Sequence, residues 1–256
     1  MQRMPSPVIA ALQVPPFAPL SRSIGWYEDF LLSNAGIFVE AGVRSIKVQD
    51  ETREPAEAAP RTIARMAALG RAFRRAFPDV ELGIIVQAHD AIAPLAIADA
   101  SDAHFVRLKI FVGAAVNAEG HRNALGVAAT RYRDLIGRAD LQIYADVHDR
   151  TSVPAAAVDN ETAALWAQSM GADALVVTGS SFDDSLSRVR RAKEAGVKRP
   201  IIIGGGVTSG NVRQALDVAQ SVIVSTSLLR DGAAHDDMAL WDGDKVRRFM
   251  DAAQPR

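Results

Sequence analysis

Short apolar runs that each follow a small-residue turn recur along this chain of 256 residues. In the segment from Gly171 to Val177, a glycine suited to the left-handed conformation that ends a helix leads into the apolar residues Ala174 to Val177. Runs of this length, rich in Val, Ile and Leu, are typical of parallel strands that are buried on both faces. Eight such runs begin near Val8, Ser45, Leu82, His104, Leu141, Ala174, Pro200 and Ser221.

Segments with helical periodicity lie between these runs and after the last of them. They extend over Trp26–Ala41, Pro60–Phe77, Asp90–Ala100, Ala128–Arg138, Asn160–Met170, Ser185–Ala195, Asn211–Val218 and Asp244–Ala252. Eight strand-then-helix units in about 250 residues predict an α/β fold, a (β/α)8 TIM barrel. A doubly wound open sheet is the alternative, but no Gly-x-Gly-x-x-Gly opens the first helix and no linker divides the chain. We therefore expect a single barrel domain over residues 1–256.

The composition excludes several classes of function. The chain has 29 Lys and Arg against 30 Asp and Glu, a formal net charge of -1, and no basic stripe, so we expect no nucleic-acid partner. No apolar stretch reaches the roughly 20 residues that a membrane span needs. The apolar segment from Val8 runs into Pro15 and Pro16, which argues against a signal peptide, and cytoplasmic localisation is the expectation. Without Cys, disulfides and thiolate chemistry are excluded.

Polar residues stand at the carboxyl ends of the predicted strands, which converge on the active face of a barrel. In chain order these ends are Gln13, Lys47 to Asp50, Gln87 to Asp90, Arg107 with Lys109, Asp146 with His148, Thr178 with Gly179, Gly204 to Gly206, and Ser225 with Thr226. Two loops, Val14–Ser23 and Phe111–Gly126, are expected to cover the same face.

A glycine run after the seventh predicted strand and hydroxyl residues after the eighth indicate a phosphate site, because barrels often bind phosphate there with backbone N–H groups. In the alternative interpretation, Gly205 and Gly206 only form a tight turn and Asn211 caps the next helix. Thr178 and Gly179 after the sixth predicted strand can extend this site. In the alternative interpretation, Ser181 only starts a turn there. The candidates for phosphate binding are Gly204, Gly205, Gly206, Ser225, Thr226, Thr178 and Gly179, with Ser227 as a further hydroxyl donor.

A second group of candidates lies on the fourth and fifth predicted strands. Arg107 and Lys109, like Asp146 and His148, are two residues apart, so each pair can project to one face of its strand. These side chains suit proton transfer beside a carbonyl, a divalent metal held by Asp146 and His148, or a Schiff base through Lys109. The alternative is an internal ion pair between Asp146 and either basic residue. No cofactor other than such a metal is indicated.

Other polar strand ends and the aromatic residues complete the set of predictions. Asp50 on the second strand is a further candidate acid or base, whereas Asp90 sits where a helix N-cap is expected. Trp241 and Phe249 are expected to be exposed helix positions that can support a homo-oligomer. The aromatic residues on helical stripes, which we expect in the core, are Trp26, Phe30, Phe73, Phe77 and Trp166.

The order and spacing of these motifs resemble the BtpA/SgcQ family of barrel proteins, from Val8 to about Met250. The matching motifs are Leu12 to Pro16, Ala88 to Ala91, Phe105 to Arg107 with Gly113 and Ala114, Gly126, Arg131 to Arg133, Ala145 to His148, Gly171 to Ala174, Val177 to Gly179, Gly206 to Thr208 with Asn211, and Ile223 and Val224 with Thr226. The resemblance implies a cytoplasmic barrel with a phosphate site. It also links the family to accumulation of photosystem I and, in another branch, to sugar metabolism.

The chain departs from that family at several strand ends. Gln13 replaces a His, Gln49 and Asp50 replace Glu-Asn, and Ala88 and His89 replace Arg-Asn. Lys109 replaces an Asn, and Arg150 with Thr151 replaces Lys-His. These differences imply a shifted substrate, or loss of catalysis with binding kept.

Two hypotheses about function follow. In the first, the protein is an enzyme that binds the phosphate of a small metabolite and performs acid–base chemistry with Asp146, His148, Lys109, Arg107 and Asp50. In the second, it is a non-catalytic ligand-binding or assembly factor. Barrels with polar residues around the carboxyl ends of their strands are mostly enzymes, which favours the first.

Overall fold

Eight parallel strands close into a barrel in a computed structural model that describes residues 4–18 and 22–254. The strands in chain order are β1 (Val8–Val14), β2 (Ser45–Asp50), β3 (Glu81–Ile85), β4 (Phe105–Leu108), β5 (Ala114–Asn117), β6 (Gly120–Asn123), β7 (Gln142–Val147), β8 (Val153–Pro154), β9 (Ala174–Val177), β10 (Ile201–Ile203) and β11 (Ser221–Val224). The order around the barrel is β1, β11, β10, β9, β7, β4, β3, β2. Each barrel strand begins within one residue of its predicted start, and the predicted TIM barrel is confirmed.

Eight α-helices of the described residues follow the barrel strands. They are α1 (Ile24–Glu40), α2 (Pro60–Ala76), α3 (Ala93–Ala100), α4 (Gly126–Leu135), α5 (Asn160–Ser169), α6 (Phe182–Glu194), α7 (Val212–Val218) and α8 (Gly243–Ala253). Gly171 follows α5 in the left-handed region at φ 93°, as predicted; Gly42 does the same after α1 at φ 94°, and Asp102 takes this region at φ 53° after α3. Within residues 4–18 and 22–254, no helix has the length and apolarity that crossing a membrane requires.

The segment predicted as a loop over Phe111–Gly126 contains regular structure instead. Strands β5 and β6 form an antiparallel hairpin, and β8 adds to its other edge, which gives a small three-stranded sheet at the mouth of the barrel. The other predicted loop, Val14–Ser23, includes residues 19–21, which lie outside the described residues. Its described part is anchored where the amide of Phe17 donates to Thr52 Oγ1 over 2.7 Å.

Apolar side chains fill two layers, one between the strands and the helices and one inside the barrel. The inner layer contains Ile9, Ala11, Phe105, Tyr144, Ala174, Val176, Ile202 and Ile223. The rings of Phe105 and Tyr144 stack with centroids 4.4 Å apart and occupy the centre of the barrel. The interior is therefore a packed core up to the level of these rings, and the polar strand ends lie above it.

Burial confirms two of the aromatic predictions and corrects others. Phe30 and Phe73 are fully buried, as predicted for helical stripes that face the core. Trp26 and Phe77 are only partly buried against the core. The prediction is wrong for Trp166, which is 44% exposed because α5 turns this face toward the mouth of the barrel.

The expectation that Trp241 and Phe249 are exposed is also wrong. Both side chains are buried, and the Trp241 ring packs 5.1 Å from that of Phe38 on α1. Trp241 precedes α8, and Phe249 lies on the face of α8 that packs into the core beside α1 and α7, so neither side chain is exposed for contact with a second copy of the chain.

Gly83 faces the interior where the Phe105 ring lies against it, and a methyl group at Gly83 would overlap that ring. We expect Gly83→Ala to lower the free energy of unfolding by about 1–3 kcal/mol, because an overfilled interior must displace packed side chains. Gly36→Ala is the matched control: nothing lies within 4 Å of a methyl group there, and its helical position favours alanine. Urea titration of both variants tests this, and equal stability of the two would contradict it.

Candidate functional site

A cavity of about 490 Å3 opens at the carboxyl ends of the barrel strands. Each of the eight strands or the loop that follows it contributes to the wall, at Gln13, Gln49, Gln87, Arg107, Asp149, Thr178, Gly204 and Ser225. The cavity therefore occupies the position in which barrel enzymes hold their substrates.

The wall of this central cavity carries more basic than acidic side chains. Glu51 and Asp149 are its acidic residues. The basic residues are Lys47, Arg53, Arg107, Lys109 and Arg150. Although the whole chain has a formal net charge of -1, the cavity thus presents an excess of positive charge and suits an anionic ligand.

The glycine run after β10 forms one end of the cavity. Among the described residues, no acceptor is paired with the amide N–H groups of Gly205 and Gly206, so both are available to a ligand. Gly206 has φ 75°, which favours glycine. A methyl group at Gly204 would overlap Thr178 Oγ1, so this glycine lets the loops after β9 and β10 approach each other.

Hydrogen bonds fix the loops on either side of the glycine run. Ser225 Oγ donates to Gln13 Oε1 over 2.8 Å, and Ser227 Oγ donates to the Val207 carbonyl over 2.9 Å. Both hydroxyl protons are therefore already used, whereas the Thr226 hydroxyl has no partner among the described residues. Thr226 and Ser227, at the start of the 3-10 helix Thr226–Leu228, also line this end of the cavity.

Asn211 stabilises the glycine loop rather than capping α7 as the alternative interpretation expected. Its Oδ1 accepts from the Thr208 amide over 2.8 Å, and its Nδ2 donates to the Gly206 carbonyl over 3.1 Å. No capping hydrogen bond from its side chain to α7 is present. The loop is therefore held in shape before any ligand binds.

Thr178 and Gly179, which were predicted to extend the phosphate site, lie in different environments. Thr178 lines the central cavity, but Gly179 does not, and its amide donates to Ser185 Oγ over 2.9 Å. Ser181 caps α6 by accepting from the Asp184 amide over 3.1 Å. Gly179 and Ser181 therefore belong to the turn that begins α6, which was the alternative interpretation. Of the two predicted residues, only Thr178 lies beside the glycine run.

Arg107 and Asp146 form an internal ion pair with two hydrogen bonds. Arg107 Nε donates to Asp146 Oδ1 over 2.7 Å, and Nη2 donates to Oδ2 over 3.0 Å. Burial raises the pKa of the Asp146 carboxyl, while the Arg107 guanidinium opposes that rise. This is the ion pair that the alternative interpretation expected, and it holds Arg107 against the wall of the central cavity.

His148 lies beside a second cavity of about 190 Å3, between the small sheet and α5. Its backbone has φ 57°, and it follows the last residue of β7. Burial, with help from the Arg188 charge, lowers the pKa of the imidazole. Lys109, Asp146 and Trp166 also line this side cavity, whereas Arg107, which is paired with Asp146, lines the central cavity.

The donor set does not fit a bound metal ion. Over residues 4–18 and 22–254, no three His, Asp or Glu side chains are grouped to hold one. Both Asp146 oxygens accept from Arg107, which leaves His148 as the one remaining candidate ligand.

Two lysines of the central cavity each donate to a glutamine. Lys109 Nζ lies 2.6 Å from Gln87 Oε1, and Lys47 Nζ lies 2.6 Å from Gln49 Oε1. Sequence reasoning placed Lys47 at a strand end but gave it no role. The spacing of two residues between Lys47 and Gln49, which puts both on the inward face of β2, is the signal that would have identified it.

Asp50 lies on the other face of β2 and lines neither the central cavity nor the side cavity. Its Oδ1 accepts from the Gln87 amide over 3.0 Å, while its buried Oδ2 has no partner among the described residues. Burial raises the pKa of this carboxyl from 3.8 to about 7. Asp90, the expected cap, accepts from the amides of Ile92 and Ala93 at the start of α3.

The raised pKa of Asp50 predicts a pH-dependent stability. Between about pH 4 and pH 7 the folded chain keeps a proton on Asp50 that the unfolded chain releases, so the free energy of unfolding falls as the pH rises. Asp50→Asn keeps the acceptor for Gln87 and removes this titration. We expect the stability of the variant relative to the parent to rise by roughly 4 kcal/mol from pH 4 to pH 8.

Chemical denaturation across this pH range measures the difference. Asp217→Asn, at an exposed position on α7, is the control and is expected to show no comparable trend. A constant difference between Asp50→Asn and the parent chain would contradict the assignment.

Comparisons with known proteins agree with this architecture. The phosphoribosyl anthranilate isomerase of Thermus thermophilus superposes with a TM-score of 0.53 at 14% identity, over 96% of this chain and 98% of that one. This likeness shows the fold alone.

Two curated relatives share more of the sequence. An uncharacterized protein of Archaeoglobus fulgidus is 29% identical over 243 residues, which are 93% of this chain and 94% of that protein. The photosystem I biogenesis protein BtpA of Synechocystis is 29% identical over 174 residues, which are 67% of this chain and 59% of that protein. The model of the BtpA family matches residues 7–255, and the chain therefore belongs to the BtpA family.

Proposed function

We propose that this protein is an enzyme that binds a small phosphorylated metabolite in the central cavity. The observation that carries the proposal is the pair of unpaired amide groups at Gly205 and Gly206, at the end of a cavity with excess positive charge. Backbone N–H groups beside a 3-10 helix start are the donors that barrels use for phosphate. Gly204, Thr226 and Thr178 complete the surface around the anion, whereas Ser225, whose hydroxyl donates to Gln13, holds the loop after β11 in place.

The charge of the cavity favours a phosphate ester over a neutral metabolite. Lys109 and Arg107 stand on the side of the cavity across from the glycine run, on or just after β4. A metabolite whose phosphate lies at Gly205 would extend its other end toward these two cations. The printed name of the Thermus thermophilus neighbour, a phosphoribosyl anthranilate isomerase, supports a ligand of the same chemical kind.

Proton transfer is the chemistry we assign to the other end of the ligand. Lys109 lines both the central and the side cavity, so it connects the bound metabolite with His148. Because the pKa of His148 is lowered, its imidazole is neutral at pH 7 and can accept a proton. Asp146 has the role of holding Arg107, which stabilises negative charge that develops on the ligand.

The glycine run gives the most direct test of phosphate binding. In Gly205→Ala, the added methyl group meets Thr178 at an ordinary distance of 4.0 Å, so the fold is retained while the approach of an anion is obstructed. We expect the affinity for inorganic phosphate and for a panel of sugar phosphates to fall about tenfold or more, because a charge-assisted hydrogen bond is lost. Isothermal titration calorimetry measures it.

Gly210→Ala is the control for the same loop. Its methyl group also meets only Thr208 at 3.7 Å, and Gly210 does not line the cavity. This variant should bind as the parent does. If the parent chain binds neither inorganic phosphate nor any sugar phosphate, the proposed function is wrong.

A non-catalytic ligand-binding or assembly factor is the second candidate. The ion pair of Arg107 and Asp146 favours it, because the carboxylate best placed for proton transfer is fully engaged. The printed name of the Synechocystis relative, a photosystem I biogenesis protein, is consistent with such a role.

Phosphorus NMR of each sugar phosphate incubated with the protein separates the two candidates. For an enzyme, we expect new signals whose rate of formation falls at least about tenfold in Lys109→Ala. Binding of every ligand without conversion by the parent chain would establish the second candidate instead.

A further inference from the structure

Lys47 is a buried lysine in the wall of the central cavity. It points into the barrel from β2, and 2% of its surface is exposed. Its Nζ donates to Gln49 Oε1, and no carboxylate of the described residues forms an ion pair with it. A lysine enclosed in this way without an anionic partner is costly to keep charged.

The surroundings of Lys47 favour its neutral amine. Burial and the nearby Arg107 guanidinium lower the pKa of Lys47 well below the ordinary lysine value, and the charge of Lys109 acts in the same direction. The carboxylates of Asp146 and Glu51 oppose this effect, but they do not overcome it. An ordinary lysine is unprotonated in roughly one molecule in 2,500 at pH 7, so Lys47 supplies far more free amine than any surface lysine.

We propose that Lys47 forms a Schiff base with the aldehyde or ketone group of a phosphorylated metabolite in the central cavity. The proposal rests on the phosphate site described above, and it names the reactive group of the ligand. From the sequence, Lys109 was one possible position for a Schiff base; Lys47 is more deeply enclosed and lies on the neighbouring side of the cavity.

The arrangement of the strands places Lys47 within reach of a ligand at the glycine run. Strands β1 and β11 separate β2 from β10, so the strand that carries Lys47 lies about 14 Å along the barrel wall from the one that leads into the glycine run. The residue paired with Lys47 on β1 is Ala11, whose small side chain also lines the cavity. Together, the lysine side chain and a ligand of a few carbon atoms span this separation.

Access to Nζ depends on the Gln49 side chain. The Gln49 amide lies between Lys47 Nζ and Glu51 Oε1, to which its Nε2 donates over 2.9 Å. Rotation of this half-buried side chain uncovers Nζ toward the cavity, and the amide oxygen can then accept the N–H of the imine.

The bond changes balance without a redox partner. The Nζ lone pair attacks the carbonyl carbon, a C–N bond forms, and the carbonyl electron pair moves to oxygen. Nitrogen loses a proton, the oxygen takes up two and leaves as water, and the C=N bond forms with a cationic nitrogen. Overall, one proton is taken from solvent and one water molecule is released.

Reductive trapping tests the proposal on the full chain. The protein is incubated at pH 7 with dihydroxyacetone phosphate and sodium cyanoborohydride, and the adduct is located by mass spectrometry of peptides. We expect one adduct per chain at Lys47, with the mass of the ketone less one oxygen atom. It should form at least about tenfold faster than any adduct at a surface lysine. Unphosphorylated dihydroxyacetone should react at least tenfold more slowly, and inorganic phosphate should compete.

Matched variants complete the experiment. Lys47→Met should lose the adduct, and Lys193→Met, which removes an exposed lysine of α6, should keep it. Mapping on the parent chain decides the question even if Lys47→Met fails to fold. Adducts spread over surface lysines, or an adduct that persists in folded Lys47→Met, would overturn the proposal.

Two further outcomes separate this proposal from the proposed function. Calorimetric binding of phosphate without any adduct at Lys47 would overturn the Schiff base and leave the phosphate site in place. Equal trapping of dihydroxyacetone and its phosphate at Lys47 would overturn the phosphorylated substrate class.

Discussion

Closure of the parallel barrel determines which side chains share the interior, and the rest of the structure depends on that constraint. Every second residue of each strand points inward, so eight strands must fill one narrow space. Phe105 and Tyr144 fill it at the centre. In the layer above, Lys47 and Arg107 stand where apolar side chains would otherwise continue the core; Asp146 pairs with Arg107, and Gln49 accepts from Lys47. The candidate site is therefore a polar continuation of the packing inside the barrel.

The distribution of charge follows from the same arrangement. The chain as a whole is nearly neutral, with a formal net charge of -1, because its 29 basic side chains almost balance its 30 acidic ones. The mouth of the barrel departs from this balance, since its basic side chains outnumber Glu51 and Asp149. Low-dielectric walls strengthen the effect of those charges on a bound anion. A net charge near zero thus gives no measure of the field that a ligand meets.

Much of the fold could be predicted because its signals are local. Each barrel strand contains a short apolar run, and residues such as Gly42 mark the helix ends. The eightfold repeat of strand and helix signals along the chain was therefore enough to predict the barrel. The side-chain environments could not be predicted in the same way. Trp241 is buried by Phe38, more than 200 positions earlier, and the hairpin of β5 and β6 has no clear alternation of apolar residues.

The candidate site was likewise predictable only in part. The glycine run could be recognised in the sequence, because three successive glycines from Gly204 to Gly206 indicate a loop whose backbone is closely approached. In contrast, the positions of His148 and Asp50 were not predicted. His148 has a left-handed backbone and lines the side cavity, and Asp50 lies on the outer face of β2 because successive residues of a strand point to opposite faces.

The contact between Ser225 and Gln13 joins positions that are 212 residues apart in the chain. It lies beside the glycine run and across the seam where β1 meets β11, so this end of the cavity exists only after the barrel has closed. No partly folded chain presents this end of the candidate site in complete form. A ligand that binds there therefore binds only the closed barrel. Its binding raises the free energy needed to open the contact between β1 and β11, and at saturating ligand this increase grows with the logarithm of the ligand concentration.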